Sequence, residues 1–582
     1  MFGPRLSKFR IKKFEQELEP QEIFLDSLAQ KKEREFGISE KKLEIPLSQK
    51  ILRGFWFGFL ILVLLLFAKT AQLQILEHET FIQRSEENRF AIRLIQAQRG
   101  VIYDQDLNQL VFNKPEFDFV CDGQVVSENL NHQDLIFYEV KINEYEGCVI
   151  ENNTAREYLG GSVFSQVIGY QRKTGGKTGL EDYYDDILKA QPGEVQVSRD
   201  VYGNPLAKEI ISQPAPGQSL VLYLDAGLQE KVSQALEKTV QSVGAKGGAA
   251  VALDPKTGGV LALASLPSFN NNLFSQGITQ EEWNALEKDP RTPLFNRAIS
   301  GVGYPSGSTI KPLIGLAALE EGVLSPETRI DSPLEICVQN PWYPDRKDCY
   351  ADWKYHGLSD LKRALAESVN TFFYQIGGGY ENLKGLGATK IKEWLQIFNW
   401  GSKTGIDLPR EGAGILPDLA NDWRLGDTYH LSIGQGPFAI TPLQVATAYV
   451  ALANGGTVFQ PQVVKKIINS DKNTVQEIAP KIIKVIPAEA DNTAVVREGM
   501  RQGVTSPQGS SYMLNFLPVS AAAKTGTAQT GKEEVYHNWV AAFAPYDDPE
   551  IVLVILIENV TGVQAAALPV AQEVLNWYFN PK

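Results

Sequence analysis

The chain has 582 residues, 43% of them hydrophobic and 21% charged, with a formal net charge of -13. That length allows more than one domain, and that balance gives no compositional reason for long disorder. An acidic total lacks the basic stripe that phosphate neutralisation requires, so nucleic acid is excluded as a partner and the acidity reads as solubility.

The first fifty residues mix Lys and Arg with Glu and have little apolar periodicity, which predicts a flexible tail. Gly54 to Ala68 then carries no charge, and continuing to Leu76 gives about twenty residues, the length that crosses a hydrocarbon core. The long segment ahead of it and the lack of an A-x-A site argue for an uncleaved anchor over a signal peptide. Lys41, Lys42, Lys50 and Arg53 precede the span while Glu77 and Glu79 follow it, which predicts a cytoplasmic tail and an outer C-terminal part. All four cysteines fall on that outer side. Nearest neighbours would pair Cys121 with Cys148 and Cys337 with Cys349, although four cysteines allow three connectivities or free thiols.

Beyond the span, Phe81 to Arg93 predicts a helix or extended arm. Arg99 to Asp104 and Phe117 to Val120 read as strands, and Leu180 to Leu188 as a short helix. A boundary falls near Pro214-Ala215-Pro216-Gly217, followed by a strand at Ser219–Leu224 and helical spacing from Leu228 to Val243. Ala249–Leu253 and Val260–Leu263 flank a Pro-Gly turn and predict a β-hairpin, and Trp539–Phe543 and Ile551–Ile557 predict two more strands. Strands at both ends with helices between them predict an α+β fold whose sheet is assembled from distant sequence.

Lys-Thr-Gly occurs five times, beginning at Lys173, Lys177, Lys256, Lys403 and Lys524. Only the last has Ser308-Thr309-Ile310-Lys311 and Ser368-Val369-Asn370 upstream of it. Ser-x-x-Lys, Ser-x-Asn and Lys-Thr-Gly in that order are the parts of a serine acyl-transferase for D-alanyl peptides or β-lactams. Pro305 and Gly307 force a turn before a helical run, so Ser308 is expected at a helix N-terminus with Lys311 one turn on, and Pro312 is tolerable only there. None of the five histidines (His78, His132, His356, His430, His537) lies in a serine-hydrolase motif. Lys311 is therefore the expected base, made neutral by burial and by the charge of Lys524. Ser368 is expected to relay a proton, Asn370 to hold a substrate amide, and Lys524 with Thr525 to bind a terminal carboxylate. Gly526 would let a peptide approach an open strand edge, and the amides of Ser308 and Thr527 would form the oxyanion hole.

These three motifs, together with Arg99–Asp104, Gly179-Leu180-Glu181, Asn296-Arg297-Ala298, Ser432–Gly436 and Thr441–Gln444, make the chain resemble a class B penicillin-binding protein from about Phe81 to near the C-terminus. Asn370–Gln375 and Gly426-Asp427-Thr428 resemble the elongation type more than the division type. The resemblance implies a cytoplasmic tail (1–53), a transmembrane anchor (54–76), a strand-rich pedestal of the dimerisation type (77–216) and a transpeptidase domain like the serine β-lactamases (217–582), with an antiparallel sheet flanked by helices. It implies peptidoglycan D-Ala-D-Ala stem peptides and β-lactams as ligands, residence in the cytoplasmic membrane, and a SEDS-family glycosyltransferase as partner. No cofactor is expected. Some members of this type hold zinc through Asp, Asp, His and Cys; Asp331, Asp352 and His356 match three of these, and Val369 stands where the cysteine would be. The competing readings are a D,D-carboxypeptidase using the same residues with water, and an anchored β-lactam sensor or scaffold without turnover. One span, a plain tail and a complete set of catalytic residues weigh against the last two.

Overall fold

The computed structural model describes residues 48–580 except 122–123, 129, 146, 173–174, 201–204 and 421, and before 48 only 34–35 and 37. The flexible-tail reading and the start of the first Lys-Thr-Gly fall outside the described residues. The chain divides into two compact units, 1–91 with 197–207, and 92–196 with 208–582.

In the first unit, helix α1 (Gln49–Ala71) begins five residues before the expected span, because Ser48 accepts from Lys50 N and caps it. It runs into a π-helical stretch at Gln72–Leu76. Its large apolar side chains, among them Phe55, Trp56, Leu65 and Phe67, are exposed on all sides, and the helix is long enough to cross a membrane. His78–Arg89 follows as a helix, in line with the expected arm.

The second unit opens with the Arg99–Asp104 motif, of which only Ile102–Tyr103 (β1) is strand. The long strands β2 (Val111–Cys121) and β4 (Cys148–Tyr158) pair antiparallel, the short β3 (Gln124–Ser127) pairs with the other side of β2, and helix α2 (His132–Lys141) lies between β3 and β4 in the chain. Cys121 and Cys148 lie directly opposite in the register and form a disulfide. The expected helix at Leu180–Leu188 is two short ones, Gly179–Tyr183 and Asp185–Leu188, interrupted at Tyr184. Glu181 and Asp185, one on each short helix, both accept from Arg99, at 2.9 and 2.6 Å. β1 runs parallel to β5 (Ser219–Leu222), with Ile102 opposite Leu220. Gly100 passes so close to Gln218 that a Cβ there would lie 1.8 Å from its carbonyl oxygen, which explains a glycine at that point.

Helix α3 (Ala226–Ser242) precedes the expected hairpin, β6 (Gly247–Leu253) and β7 (Val260–Leu266). Late in the chain come β10 (Ala522–Gln529), β11 (Val535–Ala544), β12 (Ile551–Thr561) and helix α7 (Ala567–Phe579), with the helices that carry the site between the two groups. The five strands form one antiparallel sheet in the order β7-β6-β12-β11-β10, so the ends of the domain meet in its middle. β12 is buried on both faces. Its Leu553, Ile555 and Ile557 pack with Leu228, Val232 and Leu236 of α3 and Val570 and Val574 of α7. Its Val552, Val554 and Leu556 pack on the opposite side with Leu443 and Val450 of α6 (Pro442–Asn454). The period-two alternation of a strand thus serves two helical layers at once. β10 is left at the sheet edge.

Candidate active site

Ser308 lies on a 3-10 turn, Gly307–Ile310, that runs directly into helix α4 (Lys311–Glu320). Pro312 sits in the first turn of that helix, where its missing N–H costs nothing. In 3-10 geometry residues three apart eclipse one another, so the turn sets Ser308 and Lys311 on one side. The turn is locked from several directions. Thr309 Oγ1 donates to Ser306 O (2.9 Å), Tyr449 Oη donates to Thr309 O (2.9 Å), and Trp539 Nε1 donates to Pro305 O (3.0 Å). Gly307 has φ +52, and a Cβ on it would lie 2.8 Å from Thr527 O. The nucleophile turn and strand β10 therefore approach backbone to backbone, which only glycine permits. Behind them Gly307 N donates to Gly434 O at 3.0 Å, and Gln435 Nε2 reaches Thr527 O at 3.5 Å. That contact gives Ser432–Gly436 a physical role, as the support of the nucleophile turn. Its sequence suggested no role beyond resemblance.

Lys311 is fully buried, and its Nζ donates to Asn370 Oδ1 (2.7 Å), Ser368 O (2.8 Å) and Ser368 Oγ (3.4 Å). Lys524, also fully buried, donates to the same Ser368 Oγ (2.8 Å) and to Thr525 O (2.9 Å). Two amines thus meet on one hydroxyl. Ser368 holds this position with φ +59, a left-handed backbone that a serine adopts only under constraint. Ser308 is half-buried, and its hydroxyl makes no hydrogen bond to a described residue.

Burial pushes the Lys311 amine down to about 7, opposed by the Asp352 carboxylate. Burial, followed by the charge of Lys311, holds Lys524 well below the ordinary lysine range. The expected direction for Lys311 holds, and so does burial as its cause; the charge of Lys524 does not contribute. Desolvation outweighs the opposing pull of Asp352 on Lys311, and Lys524 is lowered by burial and then by the charge of Lys311 beside it. Lys524 is also the expected carboxylate anchor. Its ammonium is turned inward onto Ser368, while Thr525 and Thr527, both half-buried, line the cleft side of the strand. In an antiparallel strand the N–H and C=O of one residue point the same way. Thr525 O takes Lys524 and Thr527 O takes Gln435, so the amides of both threonines face the nucleophile side. Thr527 Oγ1 is itself engaged with Gln564 O at 2.9 Å. Asn370 Oδ1 is occupied by Lys311, which leaves its Nδ2 to meet a ligand.

The remaining Lys-Thr-Gly copies that are described serve as local structure. Lys177 pairs with Asp185, and Lys256 sits in the β6–β7 turn beside Asp548. The three residues considered for zinc do not fit a closed metal site. His356 Nε2, buried without a hydrogen-bond partner, and Asp352 Oδ1 stand 3.7 Å apart and are two compatible donors, but Asp331 is exposed and Val369 offers none, so the set stops short of four ligands. Among the described residues the one group of metal-capable donors in mutual reach is Glu335, Cys337 and Cys349, and its two sulfurs are consumed by the Cys337–Cys349 disulfide.

Residues 248–579 match the penicillin-binding protein transpeptidase domain, and residues 122–222 the penicillin-binding protein dimerisation domain. The peptidoglycan D,D-transpeptidase MrdA of Haemophilus influenzae is 29% identical, covering 93% of each chain. MrdA of Escherichia coli K12 is 30% identical, covering 87% of this chain and 90% of its own. A solved complex of PBP2 and MreC from Helicobacter pylori aligns with a TM-score of 0.72 at 26% identity, covering 84% of this chain and 98% of that one. A structure described as coordinating polymerization and crosslinking in a peptidoglycan synthase complex aligns at 0.70 and 27% identity, over 91% and 99%. The chain belongs to the class B penicillin-binding proteins, and within them to the elongation-type penicillin-binding protein 2 group.

Proposed function

We propose that this chain is a peptidoglycan D,D-transpeptidase of cell-wall elongation, acting through an acyl-enzyme on Ser308 and acylated in the same way by penicillins. The observation that carries this reading is the junction of Lys311, Ser368, Asn370 and Lys524 beside the Ser308 turn. Ser308 Oγ attacks the carbonyl carbon of the penultimate D-Ala while its proton passes to neutral Lys311. The oxyanion is held by the amides of Ser308 and Thr527. The C–N bond then breaks, the departing D-Ala amine receives the proton by way of Ser368, and the acyl group stays on Ser308. An amine of a second stem peptide attacks that ester, closes the crosslink and frees the serine. The stem peptide lies along the open edge of β10 as an added strand, with Asn370 Nδ2 on its amide oxygen and Thr525 and Thr527 at its carboxylate end.

The same reading puts α1 in the cytoplasmic membrane with the tail inside, on the charge asymmetry around it. A SEDS-family glycosyltransferase of the elongation machinery is the proposed partner, supported by the likeness to the peptidoglycan synthase complex. Incubation with two distinguishable stem peptides tests the activity. A transpeptidase yields the mixed crosslinked product with release of D-Ala, whereas release of D-Ala with only hydrolysed donor would identify a carboxypeptidase.

Acylation also has an expected pH dependence. Lys311 must be neutral to accept the proton, and its amine is pushed down to about 7. The acylation rate constant should therefore rise with pH through a midpoint near that value and level off above it. A rate flat from mildly acidic to alkaline pH would remove Lys311 from the role of base.

A further inference from the structure

Helix α5 (Asn370–Gly378) begins at the residue that receives Lys311, and its N-terminal amides need an acceptor. The N-cap residue is Val369, which has no side-chain oxygen to offer. The acceptor comes from another segment. Asp352 Oδ2 takes the backbone N–H of Thr371 at 2.8 Å, and the Thr371 hydroxyl shares its one proton between that oxygen at 3.0 Å and Pro333 O at 3.1 Å. Thr371 is fully buried and Asp352 nearly so. A carboxylate there satisfies an orphan donor and meets the positive end of the helix, so it holds the turn containing Ser368 and Asn370 in its constrained backbone.

Asp352 is itself fixed. It follows strand β9 (Lys347–Ala351), which pairs with β8 (Glu335–Gln339), and its N–H donates to Leu334 O at 2.6 Å. The Cys337–Cys349 disulfide joins directly opposed residues of those strands. Trp353 N donates to Asp352 Oδ1 at 2.8 Å, and His356, buried beside it, is anchored through Nδ1 to Glu367 at 2.9 Å. Resting on the acyl-transfer reading above, we propose that Asp352 is a positioning residue of this active site, setting the Ser368–Asn370 turn through Thr371, and that the disulfide-closed hairpin, with no metal ion, holds Asp352 in place.

The test measures the second-order rate of labelling by a fluorescent penicillin, together with the melting temperature, for the full chain and for Asp352→Ala, Thr371→Val and Thr371→Ser. Asp352→Ala and Thr371→Val are expected to slow labelling roughly tenfold or more in protein that still melts cooperatively, as loss of hydrogen bonds to a charged group implies. Thr371→Ser, which keeps the hydroxyl, should restore the wild-type rate; a purely packing role for Thr371 would leave Ser no better than Val. Treatment of the wild type with a zinc chelator should leave the rate unchanged. Wild-type rates in both Asp352→Ala and Thr371→Val would overturn the proposal, as would a chelator-induced loss that added Zn²⁺ reverses. If Asp352→Ala fails to fold, the two threonine variants decide the matter alone. A wild-type chain that takes no penicillin would refute the acyl-transfer reading itself, an outcome distinct from a defect confined to the variants.

Discussion

Ser308→Ala is expected to abolish covalent labelling by penicillin, and Lys311→Met to slow it by roughly 100- to 10,000-fold, the usual contribution of a positioned base. The two variants separate two roles. Ser308 is half-buried on a turn whose backbone is held by Thr309, Tyr449 and Trp539, so removing one oxygen leaves the cleft intact and only the bond-forming atom is lost. Methionine matches the lysine stem in length and keeps the packing of α4, but it deletes the amine that reaches Ser368 and Asn370. It also leaves those oxygens without their donor, so part of the loss will come from movement of the Ser368 turn. Mass spectrometry of the penicillin adduct and stopped-flow labelling give the two readouts. An adduct on Ser308→Ala would show that another residue is the nucleophile, and a Lys311→Met enzyme within tenfold of wild type would show that another group takes the proton.

Glu181→Ala is expected to destabilise the chain by about 3–5 kcal/mol, the cost of removing one partner from a buried ion cluster. Glu181 is wholly buried. Its two oxygens accept from Arg99 Nε at 2.9 Å and from Arg156 Nε and Nη2 at 2.8 and 2.6 Å, with Tyr158 Oη at 3.4 Å. Arg156 also donates to Gly100 O and Asn113 Oδ1, and Arg99 to Asp185, so one carboxylate ties together the Arg99–Asp104 segment, two long strands and the short helix at Gly179–Tyr183. Without it the nearly buried Arg156 guanidinium loses its counter-charge, and Arg99 keeps only Asp185. Glu181→Gln, which keeps the shape but not the charge, should fall between wild type and alanine. Urea unfolding of the chain measures both, and a loss below about 1 kcal/mol would mean that water enters to replace the carboxylate, as at an exposed pair. None of the hydrogen bonds of Glu181, Arg99 and Arg156 named above reaches a site residue, so penicillin labelling of the folded fraction should be retained.

The chemistry was legible from the sequence because its elements are local. Ser308 and Lys311 are three residues apart, and such spacing is read directly from periodicity. The hairpin at Gly247–Leu266 and the apolar strand at Ile551–Thr561 were legible for the same reason. Asp352 was visible only as a metal candidate, since nothing in the order of residues says that its carboxylate reaches Thr371 across nineteen positions. The exchange of Val369 for a capping residue was a trace of that arrangement, seen first only as a missing ligand.

By itself the sequence determined the identity of the reacting groups, the apolar anchor helix and the alternating strands, all of which follow from short-range stereochemistry and from side-chain hydrophobicity. Tertiary structure alone decided what those groups experience: that Lys311 and Lys524 share Ser368, that burial more than mutual repulsion lowers Lys311, and that Gly307 lies against Thr527. The physical reason is that desolvation and close backbone approach depend on everything that packs around a residue. Here those neighbours come from segments more than two hundred residues apart in the chain.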